Sequence, residues 1–140
     1  MIRISNATKK ETGEWNKKEW HKVDIAHYGR HVKWKEKKFR FKAEEDGKLV
    51  GVISGQHESG ILYIGQIMTG EGLRGKGIGT MLINKAEDFG KKLGAHQMWL
   101  LTGKYWSENT FYKKLGFKLT ANLPDFHFHT DFVIYTRQIK

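Results

Sequence analysis

The feature that most constrains this chain is a glycine-rich segment, which reads Gly-Glu-Gly-Leu-Arg-Gly-Lys-Gly-Ile-Gly from Gly70 to Gly79. It follows an apolar run, residues 61–68, and precedes a segment with helical periodicity. Because glycine has no Cβ, several backbone N–H groups can converge on one anion, and a helix N-terminus adds partial positive charge. The segment therefore predicts a phosphate-binding turn between a strand and a helix.

Two common phosphate-binding motifs fit this segment poorly. Residues 70–76 have the spacing of a nucleotide triphosphate loop, but Gly77 stands where that motif needs a Ser or Thr hydroxyl for magnesium. Gly75-x-Gly77-x-x-Thr80 approaches the dinucleotide fingerprint, which should follow a first strand and precede an acidic residue about 20 positions later. Residues 96–101 supply no such acid. Another phosphate-bearing ligand is therefore favoured.

A third phosphate-binding motif does fit the glycine-rich segment, and a separate motif downstream supports it. Residues 74–79 match R-x-x-G-x-G, the pyrophosphate loop of the GNAT superfamily of N-acetyltransferases, which the chain resembles. Residues 109–117, Asn-Thr-Phe-Tyr-Lys-Lys-Leu-Gly-Phe, are similar to the second cofactor segment of that family. The two motifs occur in the family's order and at its usual separation. The resemblance covers residues 39–140 well and the first 38 residues loosely.

The resemblance implies one α/β domain of the α+β type over residues 1–140. Its mixed, mostly antiparallel sheet would have about six to seven strands, splayed between the fourth and fifth, with about four flanking helices. The hydrophobic pattern predicts elements in the same order. The predicted strands are residues 2–4, 39–43, 48–56, 61–69, 96–101, 117–121 and 126–139; the predicted helices are 9–27, 78–93 and 107–115, with a short helix or irregular segment at 31–37.

The resemblance also implies acetyl-coenzyme A as the cofactor and coenzyme A as the product. Backbone amides in the glycine-rich segment would wrap the pyrophosphate, and the end of the preceding strand would hydrogen-bond the pantetheine arm. Asn109 would contact the cofactor or cap its helix. The predicted cofactor-binding residues are Ile67, Met68, Thr69, Arg74, Gly75, Lys76, Gly77, Ile78, Gly79, Thr80, Asn109 and Tyr112.

The implied reaction is direct attack of a primary amine on the acetyl thioester in a ternary complex. The departing thiolate benefits from a donated proton, and Tyr112 stands where the family often places this general acid; the alternative is a tyrosine that only packs against Phe111 and Phe117. An alkyl amine with a pKa of about 10.4 must first lose a proton. Residues 61–68 contain no carboxylate, so the base stays open. The candidates are Glu44, Glu45, His127, His129 and a water chain.

Composition and hydropathy narrow the classes of protein and of site that this chain could represent. The chain has no cysteine, which excludes disulfides and thiolate metal sites, and His127, His129 and Asp131 alone do not predict a metal centre. No apolar run is long enough to span a membrane, and the terminus lacks a secretory pattern, so a cytoplasmic protein is expected. A homodimer stays open.

The net charge of +10 is concentrated in residues 1–42, where 13 Lys/Arg and 5 Asp/Glu give +8. Solvated helix faces explain this charge better than nucleic-acid binding, although a coenzyme A sensor or a nucleic-acid module is the alternative function. The acceptor amine also stays open. Asp125, Asp131 and Glu44 would suit a cationic amine, whereas the basic first third favours an acidic acceptor.

Overall fold

A computed structural model describes residues 1–73 and 75–140, which form three α-helices and six β-strands. The helices are α1 (Lys9–Tyr28), α2 (Ile78–Lys92) and α3 (Glu108–Lys114). The strands are β1 (Glu36–Glu45), β2 (Lys48–Glu58), β3 (Ile61–Thr69), β4 (Gln97–Gly103), β5 (Lys118–Leu123) and β6 (Phe132–Gln138). The chain divides into two compact units, Met1–Trp34 and Lys35–Lys140.

The first unit consists of α1 and the segments that flank it. Thr8 caps the helix by accepting a hydrogen bond from the Glu11 N–H at 3.2 Å, and Gly29 ends it in the left-handed conformation. The predicted helix at 9–27 is therefore confirmed. The predicted strand at 2–4 is wrong, because those residues pair with no other described segment. Residues 31–35 are irregular, and β1 begins at Glu36.

The second unit contains one sheet with the strand order β1-β2-β3-β4-β6-β5. All neighbouring pairs are antiparallel except β3 and β4, which are parallel. Tight turns at Asp46–Gly47 and Ser59–Gly60 join β1 to β2 and β2 to β3, with positive φ at all four residues. The predicted mixed, mostly antiparallel sheet is confirmed, with six strands and one helix fewer than expected among the described residues.

The sheet opens between β3 and β4. These strands pair only from Ile61–Ile64 to Gln97–Leu100, after which each continues with its other neighbour. A bulge in β3 contributes to this divergence: Gly55 pairs with Ile64 and Ser54 with Gln66, so Gly65 has no partner on β2. The opening matches the predicted splay, but the strands are the third and fourth because no strand forms at residues 2–4.

The core lies between one face of this sheet and α2. Four apolar side chains of α2 are buried there, those of Ile78, Leu82, Ile83 and Ala86. The sheet contributes Phe39, Ile53, Leu62, Ile64, Met98, Leu100, Val133 and Tyr135. Helix α2 ends at Lys92, and Gly94 follows in the left-handed conformation that the predicted helix stop requires.

The segment before β6 departs from the predicted strand at 126–139. Phe126–Thr130 forms a tight turn that contains a short 3₁₀ segment, His127–His129, and β6 begins only at Phe132. Asp131 accepts a hydrogen bond from the Asp125 N–H at 2.9 Å, and this contact closes the turn. His127 and His129 therefore do not alternate along a strand. The described residues contain no group of three side chains that could hold a metal ion.

Candidate active site

A cleft of about 570 Å³ lies where β3 and β4 diverge. The end of β3, the glycine-rich turn, the start of α2 and one side of α3 form its walls. The lining residues are Ile67, Met68, Thr69, Leu73, Gly75, Gly77, Ile78, Gly79, Thr80, Ser107, Glu108, Phe111, Tyr112 and Lys114. All of them belong to the unit Lys35–Lys140. The two sequence motifs, about thirty residues apart in the chain, thus meet in one concave site.

The glycine-rich turn leads directly into the N-terminus of α2. Its start is fixed by hydrogen bonds from the Gly70 N–H to the Val50 carbonyl at 2.8 Å and from the Leu73 N–H to the Gly70 carbonyl at 3.1 Å. Gly72, Gly75 and Gly77 all have positive φ, near 76°, 83° and 77°. A side chain in that conformation would be strained, so glycine is favoured at these three positions.

The first turn of α2 is open to an anion. Gly77 occupies the N-cap position and offers no side-chain hydrogen bond, and the first turn contains no acidic residue. The N–H groups at a helix start have no partner within the helix, and they carry the positive end of the helix dipole. Ile78, Gly79 and Thr80 line the cleft at this point. The predicted contact of Arg74 lies outside the described residues.

Gly79 has a packing role that the sequence did not indicate. A Cβ added at Gly79 would lie 2.9 Å from Cζ of Phe111, so α2 and α3 approach closely at this position. Its φ is not among the positive values. Lys76, by contrast, is exposed and does not line the cleft, although the sequence analysis assigned it to cofactor binding.

Tyr112 lies on α3 with its ring largely buried, at 7% exposure. The rings of Phe111, Phe117 and Tyr135 surround it, with centroids 5.4, 6.1 and 6.0 Å away. Burial, and then the charge of Glu108, raise the pKa of Tyr112 to about 12. The phenol is therefore protonated throughout the neutral range. Packing and proton donation, which the sequence analysis set as alternatives, are compatible in this arrangement.

Asn109 does not line the cleft. Its Nδ2 donates hydrogen bonds to the carbonyls of Gly103 and Trp106, at 2.9 and 2.6 Å, and its Oδ1 accepts one from the Tyr135 hydroxyl at 2.6 Å. Ser107 occupies the N-cap position of α3 but makes no side-chain capping hydrogen bond. The predicted cofactor contact of Asn109 remains a prediction.

Five lining residues were not among the predicted site residues: Leu73, Ser107, Glu108, Phe111 and Lys114. Phe111 and Lys114 lie inside the second motif, one and two positions from Tyr112, and this proximity in sequence is the signal that could have identified them. Ser107 and Glu108 precede the motif and reach the cleft because α3 begins there. Glu108 is the only carboxylate among the described lining residues; the candidate bases Glu44, Glu45, His127 and His129 are absent from that lining.

Comparison with known proteins agrees with this geometry. Residues 6–117 match the Acetyltransferase (GNAT) family, which accounts for most of the chain. The chain belongs to the GNAT family.

None of the described helices is long and apolar enough to cross a membrane.

Individual relatives of this GNAT protein give the same fold. A crystal structure of an acetyltransferase from Bacillus cereus has a TM-score of 0.73 at 22% identity, covering 98% of this chain and 97% of that one. An aminoglycoside 6′-N-acetyltransferase complexed with coenzyme A has a TM-score of 0.66 at 20% identity, covering 74% and 73%. At these identities the likeness shows the fold alone.

An uncharacterized N-acetyltransferase from Methanocaldococcus jannaschii is 38% identical over 89 residues, covering 56% of this chain. The matched region spans 38% of the length of that relative.

Proposed function

We propose that this protein transfers the acetyl group of acetyl-coenzyme A to a primary amine, by direct attack in a ternary complex. One observation carries the proposal: the cleft joins an uncapped helix N-terminus to a buried, protonated tyrosine. An anion-binding end and a proton donor in one site suit a ligand that has a pyrophosphate and a thioester. The known complex of a relative with coenzyme A supports the same ligand.

The donor set of the cleft fits coenzyme A. Its volume of about 570 Å³ is within the usual range of small-molecule sites, roughly 300 to 1,000 Å³. The N–H groups of the first turn of α2 would hold the pyrophosphate, and Lys114 adds a cation to the lining. Beyond Ile64, one edge of β3 is free of β4, so its backbone groups are available for the amides of the pantetheine arm.

Tyr112 would supply the proton that the leaving group needs. Acetyl-coenzyme A, when bound, provides an activated acetyl thioester. In the proposed transfer the attacking nitrogen would form the C–N bond and lose one proton to the general base, while the C–S bond would break with its electron pair left on sulfur. The phenol of Tyr112 would donate its proton there, and a phenol with a pKa of about 12 is fully protonated before that step. Solvent would then return a proton to Tyr112.

Ligand-induced stabilisation tests the cofactor part of the proposal. A ligand present at about one hundred times its dissociation constant adds roughly 2.7 kcal/mol to the free energy of unfolding. Thermal unfolding would be followed with acetyl-coenzyme A, coenzyme A and ATP. We expect both coenzyme A species, but not ATP, to raise the melting temperature.

Two variants make this test specific to the α2 N-terminus. Gly77→Asp places a carboxylate at the proposed pyrophosphate site, whereas Gly94→Asp places the same residue at the other end of α2. Both glycines have positive φ, near 77° and 85°, and an added Cβ meets nothing within 4 Å at either position. The coenzyme A shift should disappear in Gly77→Asp and persist in Gly94→Asp. A shift with ATP alone, or one that Gly77→Asp leaves intact, would contradict the proposed site.

A further inference from the structure

We infer that Asn109 is a positioning residue, which fixes α3 and thereby Tyr112, and not a ligand of the cofactor. This inference rests on the proposed function, because Tyr112 matters only if it donates a proton. It concerns three elements that meet beside the cleft: the end of β4, the start of α3 and the middle of β6. Asn109 joins all three through its side chain.

Both N–H donors of the Asn109 amide, and one acceptor position of its oxygen, are already engaged within the protein. A side-chain amide has two N–H donors, and those of Asn109 bond the carbonyls of Gly103 at 2.9 Å and Trp106 at 2.6 Å. Its oxygen accepts the Tyr135 hydroxyl proton at 2.6 Å. A contact with the pantetheine arm through the amide N–H groups would require breaking one of these bonds. The absence of Asn109 from the cleft lining agrees with this assignment.

Tyr135 depends on Asn109 because its hydroxyl is buried and needs a hydrogen-bond partner. Its side chain has 0% exposure in the middle of β6, between Leu100 of β4 and Leu119 of β5. Burial also raises the pKa of Tyr135, which keeps its hydroxyl a donor at neutral and mildly alkaline pH. A buried hydroxyl without a partner is unfavourable, and the described residues contain no such unpaired buried side-chain atom. Asn109 provides the partner of this hydroxyl.

Helix α3 depends on such external contacts. It has only seven residues, and Ser107 does not cap it through its side chain. A helix this short is not stable in isolation, so its position must come from tertiary contacts. Asn109 lies one turn before Tyr112, and the ring of Tyr135 lies 6.0 Å from that of Tyr112. The hydrogen bonds of Asn109 therefore fix the helix at the turn that carries the proposed proton donor.

The test compares Tyr135→Phe, Asn109→Ala and the double variant, with Tyr63→Phe as the matched control. Tyr63 lies on β3, packs against Trp99 with the rings tilted and their centroids 4.5 Å apart, and does not line the cleft. The turnover number and the dissociation constant of coenzyme A are measured separately. A misplacement of about 1 Å can lower a rate about 100-fold, so we expect kcat to fall at least about 10-fold in Tyr135→Phe and Asn109→Ala.

Cofactor affinity distinguishes positioning from direct binding. The dissociation constant of coenzyme A should stay within about twofold of wild type in both single variants, and the double variant should be no slower than Asn109→Ala, because the two residues act as a unit. Tyr63→Phe should behave as wild type. Weaker coenzyme A binding in Asn109→Ala, together with unchanged kinetics in Tyr135→Phe, would overturn the inference and make Asn109 a cofactor ligand. Purely additive rate losses would overturn it as well.

Unfolding measurements separate failure of this inference from failure of the proposed function. If wild type neither binds coenzyme A nor turns over, the proposed function fails. The melting temperatures of wild type, Tyr135→Phe, Asn109→Ala and the double variant still test the hydrogen-bonded pair. Non-additive losses of melting temperature on changing Asn109 and Tyr135 would support the proposed positioning of α3 by this hydrogen bond, and additive losses would contradict it.

Discussion

Tyr112 shows how one residue can serve both the core and the proposed chemistry. Its ring belongs to an aromatic cluster with Phe111, Phe117 and Tyr135, and the residue also lines the cleft. Burial is the larger cause of its raised pKa, and the carboxylate of Glu108 is the second. Both effects favour the neutral phenol, which is the form that can donate a proton.

Replacing Tyr112 with Phe should separate packing from proton donation. The ring contacts remain, so we expect the free energy of unfolding and the dissociation constant of coenzyme A to change little. Loss of a general acid typically lowers a rate by about 10²- to 10⁴-fold, and kcat should fall within that range. Steady-state kinetics and calorimetric titration with coenzyme A provide the two measurements. A variant that retains the wild-type kcat would show that Tyr112 only packs.

The pH dependence of the reaction follows from the raised pKa of Tyr112. A proton donor is active below its pKa, so ionisation of Tyr112 should cause loss of activity only as the pH approaches about 12. The amine acceptor is active only when deprotonated, so kcat/KM should rise with pH towards the pKa of the amine, about 10.4 for an alkyl amine.

A pH–rate profile between roughly pH 6 and pH 10 checks this expectation. It should rise without a descending limb. A descending limb in that range, with acetyl-coenzyme A shown to remain intact, would contradict the proposed role of the phenol.

At the scale of the elements, α2 and α3 approach closely at Gly79 and Phe111. Gly79 lets the ring of Phe111 approach to within van der Waals distance of the α2 backbone, and both residues line the cleft. The glycine-rich turn then places the start of α2 opposite the free edge of β3. Movement of α3 away from α2 would separate the anion-binding turn from Tyr112.

Gly79→Ala should therefore be destabilising, although alanine normally favours a helix over glycine by about 1 kcal/mol. The added Cβ would lie 2.9 Å from the Phe111 ring, and such overpacking typically lowers the free energy of unfolding by about 1 to 3 kcal/mol. Urea unfolding measures the change. Phe111→Leu should restore part of the loss in the double variant, with Phe111→Leu alone as the control. A Gly79→Ala variant as stable as wild type would contradict the packing role.

Local patterns predicted most elements, because their causes are local in sequence. Alternating side chains indicated β1, an apolar run indicated β3, and helical spacing indicated α2. The turn at Phe126–Thr130 was missed because its apolar and polar residues alternate like those of a strand. Its backbone is instead fixed by Asp131, whose contact with Asp125 is not visible in a hydrophobic pattern.

The candidate site was predictable where it follows the two motifs and not where it depends on distant contacts. The glycine-rich turn and Tyr112 could be read from the sequence, and the cleft contains both. The hydrogen bond from Tyr135 to Asn109 joins residues 26 positions apart, and no local sequence pattern predicts it. The proximity of Glu108 to Tyr112 follows from their spacing of four residues on the predicted helix, but the place of Glu108 in the cleft lining became apparent only from the structure.

Across the whole sheet-containing unit, Arg137 connects elements that are far apart in sequence. From β6 it donates a hydrogen bond to the Leu115 carbonyl at 2.8 Å, and it forms an ion pair with Glu87 of α2. Its guanidinium also lies 5.1 Å from the centre of the Phe117 ring. The side chains of Arg137 and Glu87 are only 19% and 25% exposed, so this pair is partly shielded from solvent.

Arg137→Met should destabilise the protein more than Glu87→Gln. The first change leaves a partly buried carboxylate and the Leu115 carbonyl without the arginine, and removal of one partner from a buried pair typically costs about 3 to 5 kcal/mol, less where solvent still reaches it. The second change keeps an oxygen that can accept from Arg137. Denaturant unfolding of both variants gives the comparison. Equal effects, or an Arg137→Met effect below about 0.5 kcal/mol, would contradict this role.

The most direct test of the account is amine-dependent release of coenzyme A from acetyl-coenzyme A by the wild-type protein. Polyamines, aminoglycosides and peptides with free amines would be supplied as acceptors, free thiol would be followed over time, and the acetylated amine would be identified by mass spectrometry. We expect thiol release that depends on at least one amine and matches the amount of acetylated product. Stabilisation by coenzyme A without amine-dependent release from any of these acceptors would contradict it, and would indicate a protein that binds the cofactor without transferring the acetyl group.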